Sequence, residues 1–323
     1  MLVAARFGRV TRVLCDPSVA PEPVREVLAG LDVLVERVSP PWSGSDVVGL
    51  LTFDPVTADA LASLPSLRVI ATPSVGFDHV DVVEATARGV WVANVPDYCV
   101  DEMADHTLAL LLALVRGVVE LDRSVRDGKW DYQAAGELRR LADVRLGIVG
   151  FGRIGRAVAT RARAFGMDVA AHDPLVADDA VRAEGVRPAS LEDLLGTSDA
   201  VTVHAPLTPA THGLIAAEEL ALLPPGALVV NVSRGPLVDT DALLGALRSG
   251  HLGGAALDVL DVEPPTEDAP APSVPRLVVN PHAGWYSERS SELAVLRAAE
   301  AVRDVVEGRR PAGAVNEVAS SAT

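Results

Sequence analysis

The sequence predicts an α/β chain of two doubly wound, parallel-sheet domains with a cleft between them. Three observations carry this reading. Short apolar runs alternate with amphipathic ones twice, in residues 10–94 and again in residues 146–280. Such alternation requires crossover connections, and crossovers give parallel sheets covered on both faces. The second block opens on Gly150-Phe-Gly152-Arg-Ile-Gly155, between an apolar run and a helical pattern. Between the blocks, residues 101–127 form a long segment with a broad apolar face, suited to an interdomain connector or a subunit interface.

Size and charge narrow the function classes. A chain of 323 residues can bury a large core and divide into two domains. A net charge of −16 argues against nucleic acid or anionic membrane as a partner. An anionic substrate then needs a local cationic clamp. Cys15 and Cys99 lie far apart, with neither metal nor redox spacing, and read as reduced thiols of a cytoplasmic protein. Arg6, Arg9 and Arg12 precede no apolar run of signal-peptide length, and the run 108–115 is too short to span a bilayer. None of the seven histidines shows H-x-x-x-H or H-E-x-x-H spacing, so no metal site is expected.

In the first block, strands are predicted at 10–14, 33–38, 47–53, 67–71 and 90–94, with helices at 23–29, 56–63 and 80–88. It has no glycine-rich phosphate turn, so it is not the nucleotide site. In 101–127 the apolar face is Met103, Leu108, Leu111, Leu112, Val115, Val118 and Val119, with Asp101 as N-cap and Gly128 as stop. Residues 129–144 are polar and irregular, as a surface crossing would be.

The second block begins with a strand at 146–149 and a helix at 154–165. The helix places Ile154, Val158, Ala162 and Phe165 on one face, and Gly166 ends it in a left-handed cap. The backbone from Val149 through Gly150, Phe151, Gly152, Arg153 and Ile154 to Gly155 is the expected phosphate cradle. Its first glycine allows the sharp turn, its second lets a pyrophosphate approach, and its third lets helix and strand pack closely. Helix N-terminal amides then face the phosphates. Such a pattern alone also occurs in ordinary turns. Here a second strand, 167–171, is followed by Asp173, 23 residues beyond Gly150. A carboxylate there accepts from ribose hydroxyls and repels a 2′-phosphate, which favours NAD over NADP. The alternative is a helix-opening aspartate before Pro174.

Further strands are predicted at 200–203, 228–232, 255–259 and 277–279, six in all, and Ser190-Leu-Glu-Asp193 resembles a capping box. A last helix, 287–307, carries Leu293, Leu296, Ala299 and Val302 on one side, and residues from Pro311 onward are expected to fray. If that helix returns to the first domain, the domains are 1–100 plus 286–323 and 101–285.

Three segments follow strands of this block, where open parallel sheets bind ligands. Arg234, in Asn231-Val232-Ser233-Arg234-Gly235, can hold a carboxylate bidentately; the alternative is a surface salt bridge. Glu263 follows Asp258, and His282 lies in Asn280-Pro-His282-Ala-Gly284-Trp285. A histidine and a carboxylate on neighbouring strand-end loops have the composition of a general acid/base pair.

With these residues in place, the chain resembles the D-isomer-specific 2-hydroxyacid dehydrogenase family over nearly its whole length. The matching segments are Val75-Gly-Phe-Asp78, Ala104-Asp-His-Thr107-Leu, Gly150 to Gly155, His204-Ala205-Pro206-Leu207-Thr208 with Thr211, Asn231 to Gly235, Gly254-Ala-Ala-Leu-Asp258, Glu263-Pro264 and Pro281-His282. The resemblance implies a flavodoxin-like substrate domain and a Rossmann NAD-binding domain. It implies reversible hydride transfer between NAD(H) and C2 of a small 2-oxo or 2-hydroxy acid, NADH being preferred to NADPH, in a homodimer.

By the same resemblance Arg234 binds the substrate carboxylate, His282 moves the proton and Glu263 orients it. Ser74, Val75 and Gly76 complete the anion site. Thr107 touches the pyrophosphate, and Asp258 holds the nicotinamide carboxamide. His204, Ala205, Pro206, Leu207, Thr211, Val232, Ser233 and Gly284 join Val75, Arg234 and His282 in lining the cofactor. Trp285-Tyr-Ser-Glu288 and residues 94–102 look nearest the C-terminal binding protein branch, where the residue matching Trp285 packs on substrate. That branch also includes corepressors, and phosphite-oxidising relatives share the same three residues. Family members often have arginine at the position of Thr72 and glycine at that of Ser74. Losing that arginine leaves Arg234 as the main cation. Glu263 separates the chain from formate dehydrogenases, which use glutamine there.

Overall fold

The computed structural model describes residues 11–267 and 273–318. The first residue of the strand expected at 10–14, Arg6 and Arg9 of the leader reading, and the tip of the tail lie outside the described residues. The chain divides into two compact units, Met1–Tyr98 with Ser287–Thr323, and Cys99–Tyr286.

The first unit holds a five-stranded parallel sheet of β1 (Thr11–Cys15), β2 (Val33–Arg37), β3 (Val47–Leu51), β4 (Val69–Ala71) and β5 (Trp91–Ala93), in the order β2-β1-β3-β4-β5. That is the flavodoxin-like order. Every residue of β3 is buried, as expected of a central strand covered on both faces. Helices Pro21–Val27, Ala58–Ala62 and Val82–Ala87 connect the strands. Pro21 opens the first, and the side chains of Thr57 and Asp81 cap the other two. Leu61, Leu64, Val80 and Val90 close a core over Leu14, Leu50, Ile70 and Val92.

Two expectations for the end of the chain are corrected. The last helix, Glu288–Val306, does return to this unit, but its buried face is Ala294, Ala298, Ala301 and Val305 with Ala299 and Val302, while Leu293 and Leu296 are half-buried. Small side chains let the helix approach the sheet closely: a Cβ on Gly49 of β3 would lie 3.0 Å from Val302 Cγ1. Nor does the described part of the tail fray. Ala314 bridges antiparallel to Ala93, and the Val315 amide donates to Val92 O at 2.9 Å. Asn316 accepts from the Val92 amide and donates to Val90 O, both at 2.9 Å. The open edge of β5 supplies what the polar composition could not foretell.

The second unit holds seven parallel strands: β6 (Arg145–Val149), β7 (Asp168–His172), β8 (Arg187–Pro188), β9 (Ala200–Val203), β10 (Ala227–Asn231), β11 (Leu252–Leu257) and β12 (Leu277–Val279). Their order is β12-β11-β10-β9-β6-β7-β8. Six were expected; β8, two residues long on an edge, is too short to show a period. Winding reverses between β6 and β9, the place where doubly wound sheets take ligands.

The segment 101–127 is two helices, Val100–Val115 and Val118–Arg126, broken at Gly117. Gly117 has φ +60°, and a Cβ there would meet Ala135 Cβ at 2.7 Å, so the chain turns where another segment presses on it. Val118 is consequently exposed rather than part of the apolar face. Cys99, not Asp101, occupies the N-cap; Asp101 sits in the first turn, where the dipole favours it, and pairs with Arg161 at 2.8 Å. After the glycine turn the helix is Arg153–Ala164, buried through Gly155, Val158, Ala159 and Ala162. Phe165 lies at its C-cap and is exposed, because Gly166, at φ +82°, has already begun to turn the chain away. Among the described residues no helix is long and apolar enough to cross a membrane.

Candidate active site

The glycine turn is built by contact. Gly150, at φ +94°, lies against the peptide after β9: a Cβ there would meet His204 C at 2.7 Å and Ala205 N at 2.8 Å. A Cβ on Gly155 would lie 2.2 Å from Gly150 O. These two glycines are therefore demanded by the protein's own backbone. Gly152 is different, since a Cβ there meets nothing within 4 Å. It is also the N-cap of helix Arg153–Ala164, and no side chain caps that end. Open space beside uncapped helix amides fits a pyrophosphate, so the residues present suit a dinucleotide.

Asp173 follows β7 beside this turn. Its Oδ2 accepts from the Phe151 amide at 2.8 Å and its Oδ1 from the Leu175 amide at 2.9 Å. It thus ties the glycine turn to β7 while also opening the turn before Pro174. Beyond β9, Thr211 Oγ1 accepts from the Thr208 amide at 2.8 Å and donates to Pro206 O at 2.6 Å, which closes the loop holding Ala205, Pro206 and Leu207. His204 has both ring nitrogens buried without a hydrogen-bond partner among the described residues, and burial pushes its pKa down to about 3, so the ring is neutral.

Arg234 follows β10, which ends at Asn231. The Asn231 side chain folds the loop back, accepting from the Ser233 amide at 3.1 Å and donating to Arg234 O at 2.8 Å. Ser233 Oγ donates to Val203 O at 2.8 Å, pinning this loop to β9. Gly235 packs on the next loop so closely that a Cβ would lie 2.2 Å from Leu260 C. That approach brings the loops after β10 and β11 together, and the Arg234 charge acts on Glu263.

Glu263 and His282 meet as expected. His282 Nδ1 lies 2.6 Å from Glu263 Oε2, while Glu263 Oε1 accepts from the Leu260 amide at 2.6 Å. Burial works to raise the Glu263 pKa, but the His282 and Leu260 hydrogen bonds and the charges of His282 and Arg234 prevail, holding it below the ordinary glutamate range. An ionised carboxylate on Nδ1 makes that nitrogen the donor and leaves Nε2 to give or take a proton. His282 itself has φ +52°, a left-handed conformation that costs a non-glycine residue on the order of 1–3 kcal/mol.

In the first unit, after β4, Ser74 Oγ donates to Gly76 O at 2.6 Å and Asn94 Nδ2 to Val75 O at 2.6 Å. Among the described residues the amides of Val75 and Gly76 take no backbone carbonyl as partner. Thr72, standing where relatives often have arginine, is fully buried at the sheet end. Trp285 stacks edge-on against Tyr286, with centroids 5.6 Å apart.

Several residues expected to line the cofactor are buried. Val149, Phe151, Thr107, Val232 and Asp258 have essentially no exposed surface. Thr107 spends its hydroxyl on Met103 O at 2.6 Å, one turn back on its own helix. Asp258 is held by the amides of Ala283 and Gly284 at 2.9 and 2.8 Å. His106, within a segment that resembles the family but given no role from the sequence, lies beside Asp258. Its Nε2 lies 3.3 Å from Asp258 Oδ1, an ion-pair distance without hydrogen-bond alignment. Only the crossing of helix Val100–Val115 over the sheet brings the two together; no spacing in the sequence signals it.

Residues 108–284 match the family model described as D-isomer specific 2-hydroxyacid dehydrogenase, NAD binding domain. A glyoxylate reductase of Korarchaeum cryptofilum (strain OPF8) is 40% identical over 288 residues, covering 88% of this chain and 86% of that protein. A D-3-phosphoglycerate dehydrogenase of Mycobacterium leprae (strain TN) is 43% identical over 261 residues, 81% of this chain but 49% of that protein, so the chain spans about half its length. The crystal structure of D-lactate dehydrogenase from Aquifex aeolicus, complexed with NAD and lactic acid, superposes with a TM-score of 0.81 at 29% identity, covering 92% of this chain and 96% of the other.

Proposed function

The chain belongs to the D-isomer specific 2-hydroxyacid dehydrogenase family, and from that premise we propose that it reduces a small 2-oxo acid to the D-2-hydroxy acid, reversibly, using NADH. An oxidoreductase of the CH–OH class is what the family is; the substrate, the cofactor preference and the residue roles are our assignment. The contact between His282 Nδ1 and Glu263 Oε2 at 2.6 Å, one loop from Arg234, carries it.

NAD(H), when bound, supplies or accepts the hydride at C2. Gly152 and the amides opening helix Arg153–Ala164 are assigned to its pyrophosphate. Asp173 is assigned to its ribose, where a carboxylate disfavours the 2′-phosphate of NADPH. Arg234 binds the substrate carboxylate, its planar fork matching two carboxylate oxygens. His282, held by Glu263, gives its proton to the carbonyl oxygen as that oxygen becomes a hydroxyl, and takes one back in oxidation. The amides of Val75 and Gly76 are assigned to the substrate anion, and Trp285 to its side chain.

We assign the assembly as a homodimer. Trp130 and Tyr132 are 94% and 83% exposed, and Val118 and Val125 nearby in sequence are exposed too, apolar surface that a second copy would cover.

The deciding experiment is a panel of 2-oxo acids, glyoxylate, pyruvate and hydroxypyruvate among them, assayed with NADH and with NADPH. Turnover of one or more with NADH above NADPH is expected. Tight nucleotide binding with no turnover across the panel would instead mark a nucleotide-sensing binding module, and NAD+-dependent oxidation of phosphite, assayed separately, with no turnover of any 2-oxo acid a different donor.

A further inference from the structure

The loop after β4 is held by its carbonyls. Ser74 O accepts from the Val95 amide at 2.9 Å, Val75 O from Asn94 Nδ2 at 2.6 Å, and Gly76 O from Ser74 Oγ at 2.6 Å. A trans peptide is planar and sets its C=O and N–H in opposite directions. Fixing the carbonyl of Ser74 therefore aims the amide of Val75, and fixing that of Val75 aims the amide of Gly76. Both amides are turned away from Asn94 and Val95, the two residues that follow β5.

Asn94 is gripped in turn by the far end of the chain. Its amide donates to Gly313 O at 3.0 Å, and Gly313, at φ +70°, lies so close that a Cβ there would run into Asn94 O. Ala314 then bridges to Ala93, and Val315 packs on the core of the sheet. Asn316 ties the segment down, accepting from the Val92 amide and donating to Val90 O and, at 2.8 Å, to Thr86 Oγ1. Arg310 lies over the Trp91 ring and pairs with Glu317 at 2.6 Å. Residues 310–317 are thus a strap built onto the β5 edge.

We propose that this strap belongs to the substrate site, with Asn94 as the positioning residue through which it aims the Val75 and Gly76 amides. The role rests on the assignment of those amides to the substrate anion. Two amides serve an anion only while both point at it, because a hydrogen bond weakens steeply as it bends. Donors aimed in advance spare the cost of ordering them on binding. A carboxamide suits the relay, since its N–H donates to Val75 O where a carboxylate could only accept. The glycine turn assigned to NADH lies in the other unit, so loosening the strap acts on the acid and not on the cofactor.

The test compares Asn94→Asp, Gly313→Ala and Asn316→Ala with wild type, all in the full-length protein. Oxamate, an isostere of a 2-oxo acid that accepts no hydride, is titrated into the NADH complex of nitrogen-labelled protein while the Val75 and Gly76 amide resonances are followed. KM, kcat, NADH affinity and Tm are measured beside it. In wild type both resonances should move as oxamate binds. Asn94→Asp, which sets an acceptor against Val75 O, should raise KM for the best 2-oxo acid at least about tenfold, as loss of one charge-assisted hydrogen bond does. NADH affinity should stay near wild type and the two amides should answer oxamate weakly. Gly313→Ala, whose methyl lifts the strap from Asn94, and Asn316→Ala, which unties it from β5, should raise KM about threefold. Unchanged KM in all three, whatever the fall in Tm, with both amides still answering oxamate, would overturn the proposal and leave the anion site standing. Amides silent to oxamate in wild type would overturn the anion site itself and the strap's role with it. Should Asn94→Asp fail to fold, Gly313→Ala and Asn316→Ala carry the same readouts.

Discussion

At the scale of single residues, two carboxylates show how partners decide protonation. Glu263 is kept ionised by His282, Leu260 and Arg234 against the pull of burial, so it stays a hydrogen-bond acceptor for the imidazole. His282→Gln retains a polar side chain of similar reach but cannot transfer a proton. Turnover in that variant is expected to drop by roughly 10²–10⁴-fold, read as steady-state kcat; a rate above about a third of wild type would remove His282 from the chemistry.

Asp199, immediately before β9, is the structural counterpart. It accepts from the Arg145 amide at 3.0 Å and from the Arg145 guanidinium at 2.8 Å, and it pairs with Arg139. Burial works to raise its pKa, but these donors win and lower it to about 2. A depressed carboxylate pKa stabilises the fold above the unfolded value near 4 and ceases to do so as pH falls towards 2. Asp199→Asn should therefore cost about 2 kcal/mol in urea unfolding at pH 7, and the gap to wild type should narrow at pH 3. An equal gap at both pH values would contradict the assignment.

Among elements, the glycine turn separates two jobs that one motif conceals. Gly155→Ala forces a Cβ into the Gly150 carbonyl and should lower Tm sharply, because helix and strand can no longer approach. Gly152→Ala meets no protein atom and should leave Tm near wild type, yet weaken NADH binding by at least about tenfold, since the methyl occupies the space assigned to phosphate. Differential scanning fluorimetry beside NADH titration distinguishes the two. If Gly152→Ala bound NADH normally, the phosphate would have to lie elsewhere. The break at Gly117 belongs to this scale as well: the sequence shows one apolar-faced stretch, and contact with Ala135 divides it into two helices.

For the molecule as a whole, the acidic surface and the exposed aromatic segment pull in opposite directions. A charge of −16 resists self-association, while Trp130 and Tyr132 leave large apolar rings in water. The proposed dimer would cover these rings despite the repulsion. The double variant Trp130→Asp, Tyr132→Ser should sediment as a monomer where wild type sediments as a dimer, with each monomer still folded by circular dichroism. A monomeric wild type, or an unchanged variant, would dismiss the assembly.

What the sequence determined by itself was local in character. The alternation of apolar runs specified parallel sheets, the spacing of Gly150, Gly152 and Gly155 located a strand–turn–helix, and strand-end loops nominated Arg234, Glu263 and His282. Each is a property of a few neighbouring residues whose physics is period, turn and cap. Tertiary structure alone decided the rest. The tail is held by the β5 edge, the last helix buries alanines rather than leucines and sets Val302 against Gly49, and Asp258 gathers the amides of 282–284 with His106 beside it. Those outcomes depend on which distant surfaces meet and at what distance, and close packing between segments far apart in the chain leaves no periodic trace in it.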